Sequence, residues 1–133
     1  MSDLTAQLQA AMPLCATLEI QTTAFTAAEV VMTMAWAEGR TTGGGLLHGG
    51  ALMALADSAG AACASLNLPA DAGGTSTIES KTNFLGAVRD GVVIATSKPV
   101  HVGSTTIVVE TEIRAGDRLV AKVTQTQAVL RRR

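Results

Sequence analysis

The chain has 133 residues, 47% apolar and 16% charged, which excludes intrinsic disorder and leaves enough length to bury a core without disulfides or a structural metal. Its net charge of -1 removes the electrostatic case for nucleic acid, and two Phe, one Trp and no Tyr offer few rings for base stacking. The length predicts a single domain over residues 1–133.

The first residues, MSDLTAQLQA, lack the basic start and long apolar run of a secretory signal, so a cytoplasmic protein is expected. Residues 4–11 read as a short helix within a segment at 1–12. Residues 16–23 and 28–37 read as strands, and the glycines at 43–45 break the chain. A helix is expected from near His48 to near Asn67, with Pro69 as its stop signal. It is apolar nearly all round, which predicts cover on most sides. Residues 49–66 are almost long enough to span a membrane, but Asp57 at the centre would cost roughly 2.5–3.5 kcal/mol there. A buried helix is the better reading.

Beyond the helix the apolar period drops to two. Over 75–84, Thr77, Glu79, Lys81 and Asn83 share one face, and Ile78, Ser80, Thr82 and Phe84 the other. Ile107, Val109, Thr111 and Ile113 share a face over 104–114, as do Leu119, Ala121 and Val123 over 118–130. Gly91, Gly103 and Ala115-Gly116-Asp117 mark turns. The order is two strands, one long helix, then four strands. Hairpins can enclose that helix only if the antiparallel sheet curls around it, an α+β architecture.

Chemistry concentrates in the helix. Asp57 is the only Asp, Glu, Lys or Arg between Arg40 and Asp71. It is either a structural acid satisfied by a Ser or a helix end, or a functional one; with no cation within a helical turn, any partner comes from elsewhere in the fold. His48, Gly49 and Gly50 open the helix, where free N–H groups can hold an anion or oxyanion; alternatively the glycines serve only the turn and close packing. The run contains no GK[ST] and no complete GxGxxG, so a nucleotide loop is not expected. His48 and His101 are the only histidines and form no HExxH or Cys/His cluster, so no metal is expected. Cys15 and Cys63 have no metal or redox spacing and read as reduced thiols.

Gly49 and Asp57 are eight residues apart, about 12 Å along one helix. A catalytic group must lie within about 3 Å of the reacting atom, or one water away. Both can serve one small centre only if two chains set their helices side by side and antiparallel, giving two equal sites in a two-fold dimer.

The segment GLLHGGALMALADSAGA resembles the GxxHGGxxxxLAD signature of the phenylacetate-degradation (PaaI-type) acyl-CoA thioesterases of the hotdog superfamily. TSTIESKTNFLGAV resembles that family's next strand, and VGSTTIVVETEIRAGDRLVAKVTQTQAVL its closing strands. The resemblance covers about residues 15–130. It implies a curved six-stranded sheet around the helix, and a homodimer with sites between subunits, often paired into a homotetramer. It implies that the acid at Asp57 is general base or nucleophile, that the Gly49 N–H polarises the thioester carbonyl, that His48 helps place the thioester, and that Thr77 positions Asp57 or the water. By the same matching Thr42, Gly50, Ser58, Gly103 and Ser104 would line the substrate. Thr42 stands where many members have Asn or Gln, Ala87 where many have Pro, and Ser104 where several have a basic residue.

The implied function is hydrolysis of a small aromatic or short- to medium-chain acyl-CoA, with coenzyme A part of the substrate and no other cofactor, no nucleic acid and no membrane. Ala51, Ala54 and Ala59 would leave room for the acyl group. Arg89, Lys98 and Arg131–Arg133 are candidate phosphate contacts or solvated surface charges. The alternative is a non-catalytic acyl-CoA binding or regulatory module; a hotdog dehydratase would need a His and acid motif that is absent.

Overall fold

The elements follow the chain order that the periodicity predicts, with one displacement near the start. The computed structural model describes residues 1–133: α1 (Asp3–Ala11), α2 (Pro13–Thr17), β1 (Gln21–Phe25), β2 (Val30–Ala35), α3 (Gly49–Ser65), β3 (Ala72–Phe84), β4 (Val92–Val102), β5 (Thr106–Ala115) and β6 (Arg118–Arg131). The strand expected over 16–23 begins only at Gln21. Pro13 occupies the first position of α2, where its missing N–H costs nothing, and residues 13–17 form a helical turn instead.

All strand pairs are antiparallel, in the order β1-β2-β4-β5-β6-β3. The inner face is built by alternation: Val30, Met32 and Met34 of β2, Val93 and Ala95 of β4, Ile107, Val109 and Ile113 of β5, and Ala121, Val123 and Val129 of β6 are all buried. The hydrophobic helix α3 lies against this face, touching β2 through β6, and buries Leu52, Leu55, Ala56, Ala59 and Cys63. Its cover is less complete than the all-round apolar pattern predicts. Ala51, Ala54, Asp57, Ser58 and Ala61 remain half-exposed, so one stripe of α3 lacks sheet cover within the single chain.

The strict alternation expected for β3 also fails. Thr77 pairs with Gln127 and Glu79 with Thr126, so Ile78 is an extra residue in a β-bulge. Before the bulge Thr77 shares the face of Gln127; after it Ser80 and Thr82 share the face of Gln125 and Val123. The bulge turns Thr77 inward without turning Glu79 and Lys81 inward with it. β3 is also a sheet edge, 13 residues long, and Ile78 is 63% exposed on it.

Candidate active site

The start of α3 is pinned before its chemistry begins. The Leu47 N–H donates to the Val88 carbonyl and the His48 N–H to the Arg40 carbonyl, both at 2.9 Å. Gly44 and Gly45 turn the preceding chain with φ of 80° and 76°, values open to glycine, and the Trp36 indole N–H holds the Gly45 carbonyl at 2.9 Å. His48 caps the helix: its Nδ1 accepts the Gly50 N–H at 2.7 Å. In a neutral imidazole that bond leaves the proton on Nε2. The Ala51 and Leu52 N–H groups both reach the His48 carbonyl. Of the four N–H groups that a helix start leaves over, only that of Gly49 has no acceptor within this chain. A Cβ at Gly50 would come within 2.9 Å of His48 Nδ1, and one at Gly49 within 3.0 Å of the Phe84 ring.

Two turns along, Asp57 is half-exposed and faces β3 and β6. The Thr77 hydroxyl donates to its Oδ1 at 2.7 Å, and the Gln125 side-chain amide donates to the same oxygen at 2.7 Å. Gln127 in turn donates to Thr77 Oγ1 at 2.6 Å. Asp57 is thus held by neutral donors and takes part in no ion pair. Both bonds fall on Oδ1, so Oδ2 keeps its lone pairs for a ligand. The geometry is that of a carboxylate held through one oxygen with the other left unbonded.

The fold brings together two groups of the candidate residues, Asp57 with Thr77 and His48 with Gly49 and Gly50. Ser58 adjoins them but turns its hydroxyl back to the Ala54 carbonyl at 2.7 Å. Thr42 is exposed, and its side chain bonds nothing. Gly103 and Ser104 lie in the β4–β5 turn and make no hydrogen bond to either group. There the Ser104 carbonyl accepts from Arg131, which also pairs with Asp71 at 2.5 Å. Lys98 lies 3.9 Å from Glu29, so of the basic residues singled out for phosphate contacts, Lys98 and Arg131 face carboxylates of this chain. Gln125 and Gln127 were not foreseen. Their signal was parity: both fall on the face of Ala121, Val123 and Val129, where an apolar residue is expected.

Beside the helix start a cavity of about 280 Å³ is lined by Leu14, Leu18, Thr41, His48, Ala51 and Ala54, among others. No group of His, Cys, Asp and Glu side chains could hold a metal, and no helix is long and apolar enough to cross a membrane.

The sequence profile of the Thioesterase superfamily matches residues 44–122, from the glycine turn through α3 into β6. The chain belongs to that superfamily. The superfamily match contains Asp57, Thr77 and the helix start. Two curated relatives are provisionally named esterases: ComA2 of Bacillus subtilis, 42% identical over 64 residues (48% of this chain), and VC_A0580 of Vibrio cholerae, 37% identical over 90 residues (67% of this chain). The chain spans 51% and 59% of their lengths. The thioesterase HI1161 from Haemophilus influenzae superposes with a TM-score of 0.88 at 26% identity, covering 98% of this chain and 92% of that one. The α+β hotdog fold expected from the sequence is the fold observed: six antiparallel strands against one long helix.

Proposed function

We propose that the protein is an acyl-CoA thioesterase of the PaaI type, acting on a small aromatic or short- to medium-chain acyl-CoA. The observation that carries this reading is Asp57, held at Oδ1 by Thr77 and Gln125 with Oδ2 unbonded within the chain. Oδ2 takes a proton from the attacking water, or attacks the thioester carbon itself. The oxyanion that forms is met by the Gly49 N–H, the one first-turn donor without a partner in its own chain; one such donor is worth about 10²–10³ in rate. His48 presents Nε2–H toward the thioester. Collapse expels the coenzyme A thiolate, leaving the free acid when water attacked, or an acyl anhydride on Asp57 that water then hydrolyses when the carboxylate attacked. The reaction uses only water.

The site so described is shared between two copies. Asp57 and Gly49 of one helix are too far apart for one carbonyl, so the donor comes from a second chain. The edge strand β3 supports this. Thirteen residues of one-sided hydrogen-bonding backbone, with exposed Ile78, form a surface that a second β3 can pair with about a two-fold axis. That pairing would cover the exposed stripe of α3. A dimer of such dimers follows the family pattern. The cavity beside His48, lined by Leu14, Leu18, Ala51 and Ala54, suits a small apolar acyl or aryl group.

The test is thiol release from a series of aryl- and alkanoyl-CoA esters. Turnover that falls as the acyl group outgrows the cavity supports the reading. Tight acyl-CoA binding with no thiol release identifies a binding module instead.

A further inference from the structure

Gln125 and Gln127 are both 0% exposed, on a strand face otherwise built of Ala121, Val123 and Val129. Each has its side-chain oxygen buried without a hydrogen-bond partner. A buried primary amide left half-satisfied is a poor choice for stability, and an apolar side chain of the same shape would be better. Both side-chain nitrogens, by contrast, are engaged, and both lead to one atom. Gln125 donates to Asp57 Oδ1 directly, and Gln127 donates to the hydroxyl that donates to Asp57 Oδ1.

We propose that Gln125 and Gln127 are positioning residues for Asp57, aiming its Oδ2 at the reacting centre; this rests on the reading of Asp57 as the catalytic carboxylate. Thr77 has one proton to give. With a Gln127 N–H on its lone pair, that proton goes to Asp57; were the Gln127 amide reversed, its oxygen would compete for it. Gln125 adds the second bond on Oδ1, so the carboxylate cannot rotate and exchange its oxygens. Neutral donors orient the group without cancelling its charge, whereas an Arg in their place would make it a weaker base and nucleophile. Gly60 completes the device from the helix side. A Cβ there would lie 1.8 Å from Gln125 Oε1, so only glycine lets the amide sit between helix and sheet.

The test uses Gln125→Met, Gln127→Met and Gly60→Ala, each alone and combined with Asp57→Asn, with folding checked by circular dichroism and melting temperature. Methionine keeps the length and removes the donor; Gly60→Ala displaces the same amide without altering β6. Gln125→Met and Gly60→Ala should each lower kcat by about 10- to 100-fold, and Gln127→Met by about tenfold, the scale of one hydrogen bond to a charged group. KM should stay within about twofold. In the Asp57→Asn background none of them should lower the residual rate more than about twofold, because their target is gone. Wild-type kcat in a folded Gln125→Met or Gly60→Ala protein overturns the proposal, as does a full-sized effect in the Asp57→Asn background, which would mark a packing role. If Gln125→Met does not fold, Gly60→Ala and Gln127→Met decide by the same criteria. Normal turnover by Asp57→Asn itself sinks the reading of the active site rather than the role of the glutamines.

Discussion

Gly49 and Asp57 stand on one uninterrupted 17-residue helix, eight positions apart, so that about 12 Å of helix separates the free N–H from the carboxylate. If they act on one thioester, they belong to different chains. Gly49→Pro removes the donor at a helix position that tolerates proline, and Asp57→Ala removes the acid. Each homodimer should be nearly inactive. After an equal mixture is unfolded and refolded, about half of the dimers are mixed. One of the two sites in a mixed dimer is then intact, so about a quarter of wild-type activity should return. If nothing returns, with fold and dimer shown intact by circular dichroism and gel filtration, the site is not shared.

Asp57→Asn keeps the shape of the side chain but cannot accept the proton. A fall in kcat of roughly 10²–10⁴ with a modest change in KM is expected, the usual scale for loss of a general acid or base. Steady-state thiol release measures it. Near-normal turnover would make Asp57 a structural acid satisfied by Thr77 and Gln125.

Thr77→Ala removes the hydroxyl 2.7 Å from Asp57 and leaves the Gln127 amide without its acceptor. The expected loss in kcat is about tenfold, equivalent to about 1.4 kcal/mol. An unchanged rate in a folded variant would remove Thr77, and Gln127 behind it, from the positioning of Asp57.

Ile78 is the bulged residue of an edge strand and 63% exposed. Ile78→Glu places a charge where a second β3 would pair, and two copies would set these charges close to the two-fold axis. Gel filtration should show a monomer, with thiol release falling in parallel. A stable dimer with full activity would move the interface away from β3.

Cys63 is fully buried on the sheet side of α3, and burial pushes its thiol up to about 11. A raised thiol pKa means little thiolate at pH 8, and burial blocks access to what exists. Cys63 should not react with a thiol-titrating disulfide reagent in the native protein. The reaction should appear on adding denaturant. Fast native labelling of Cys63, located by peptide mass, would contradict its packing.

The sequence by itself determined the long helix, its start at His48-Gly49-Gly50, its end to within two residues (near Asn67, against Ser65 observed) and the α+β order of elements. These depend on local signals: the glycine break at 43–45, a stop at Pro69, and a change of apolar period from 3.6 to two. The inward face of β5 was legible for the same reason, since Ile107, Val109, Thr111 and Ile113 alternate without interruption and are all buried. The surroundings of Asp57 belong to the tertiary structure. Gln125 is 68 residues from Asp57 in the chain, and its wrong-looking polarity on an apolar face says that it needs a partner but not which one. The bulge at Ile78 was hidden too, because Thr77 through Phe84 alternate smoothly as a sequence, and only pairing with β6 forces the extra residue out. The physical reason is common to both. Local pattern sets which face a residue prefers, while register across strands and the approach of helix to sheet decide which polar groups meet, and Asp57 can be aimed only once Gly60 lets β6 come close enough to hold it.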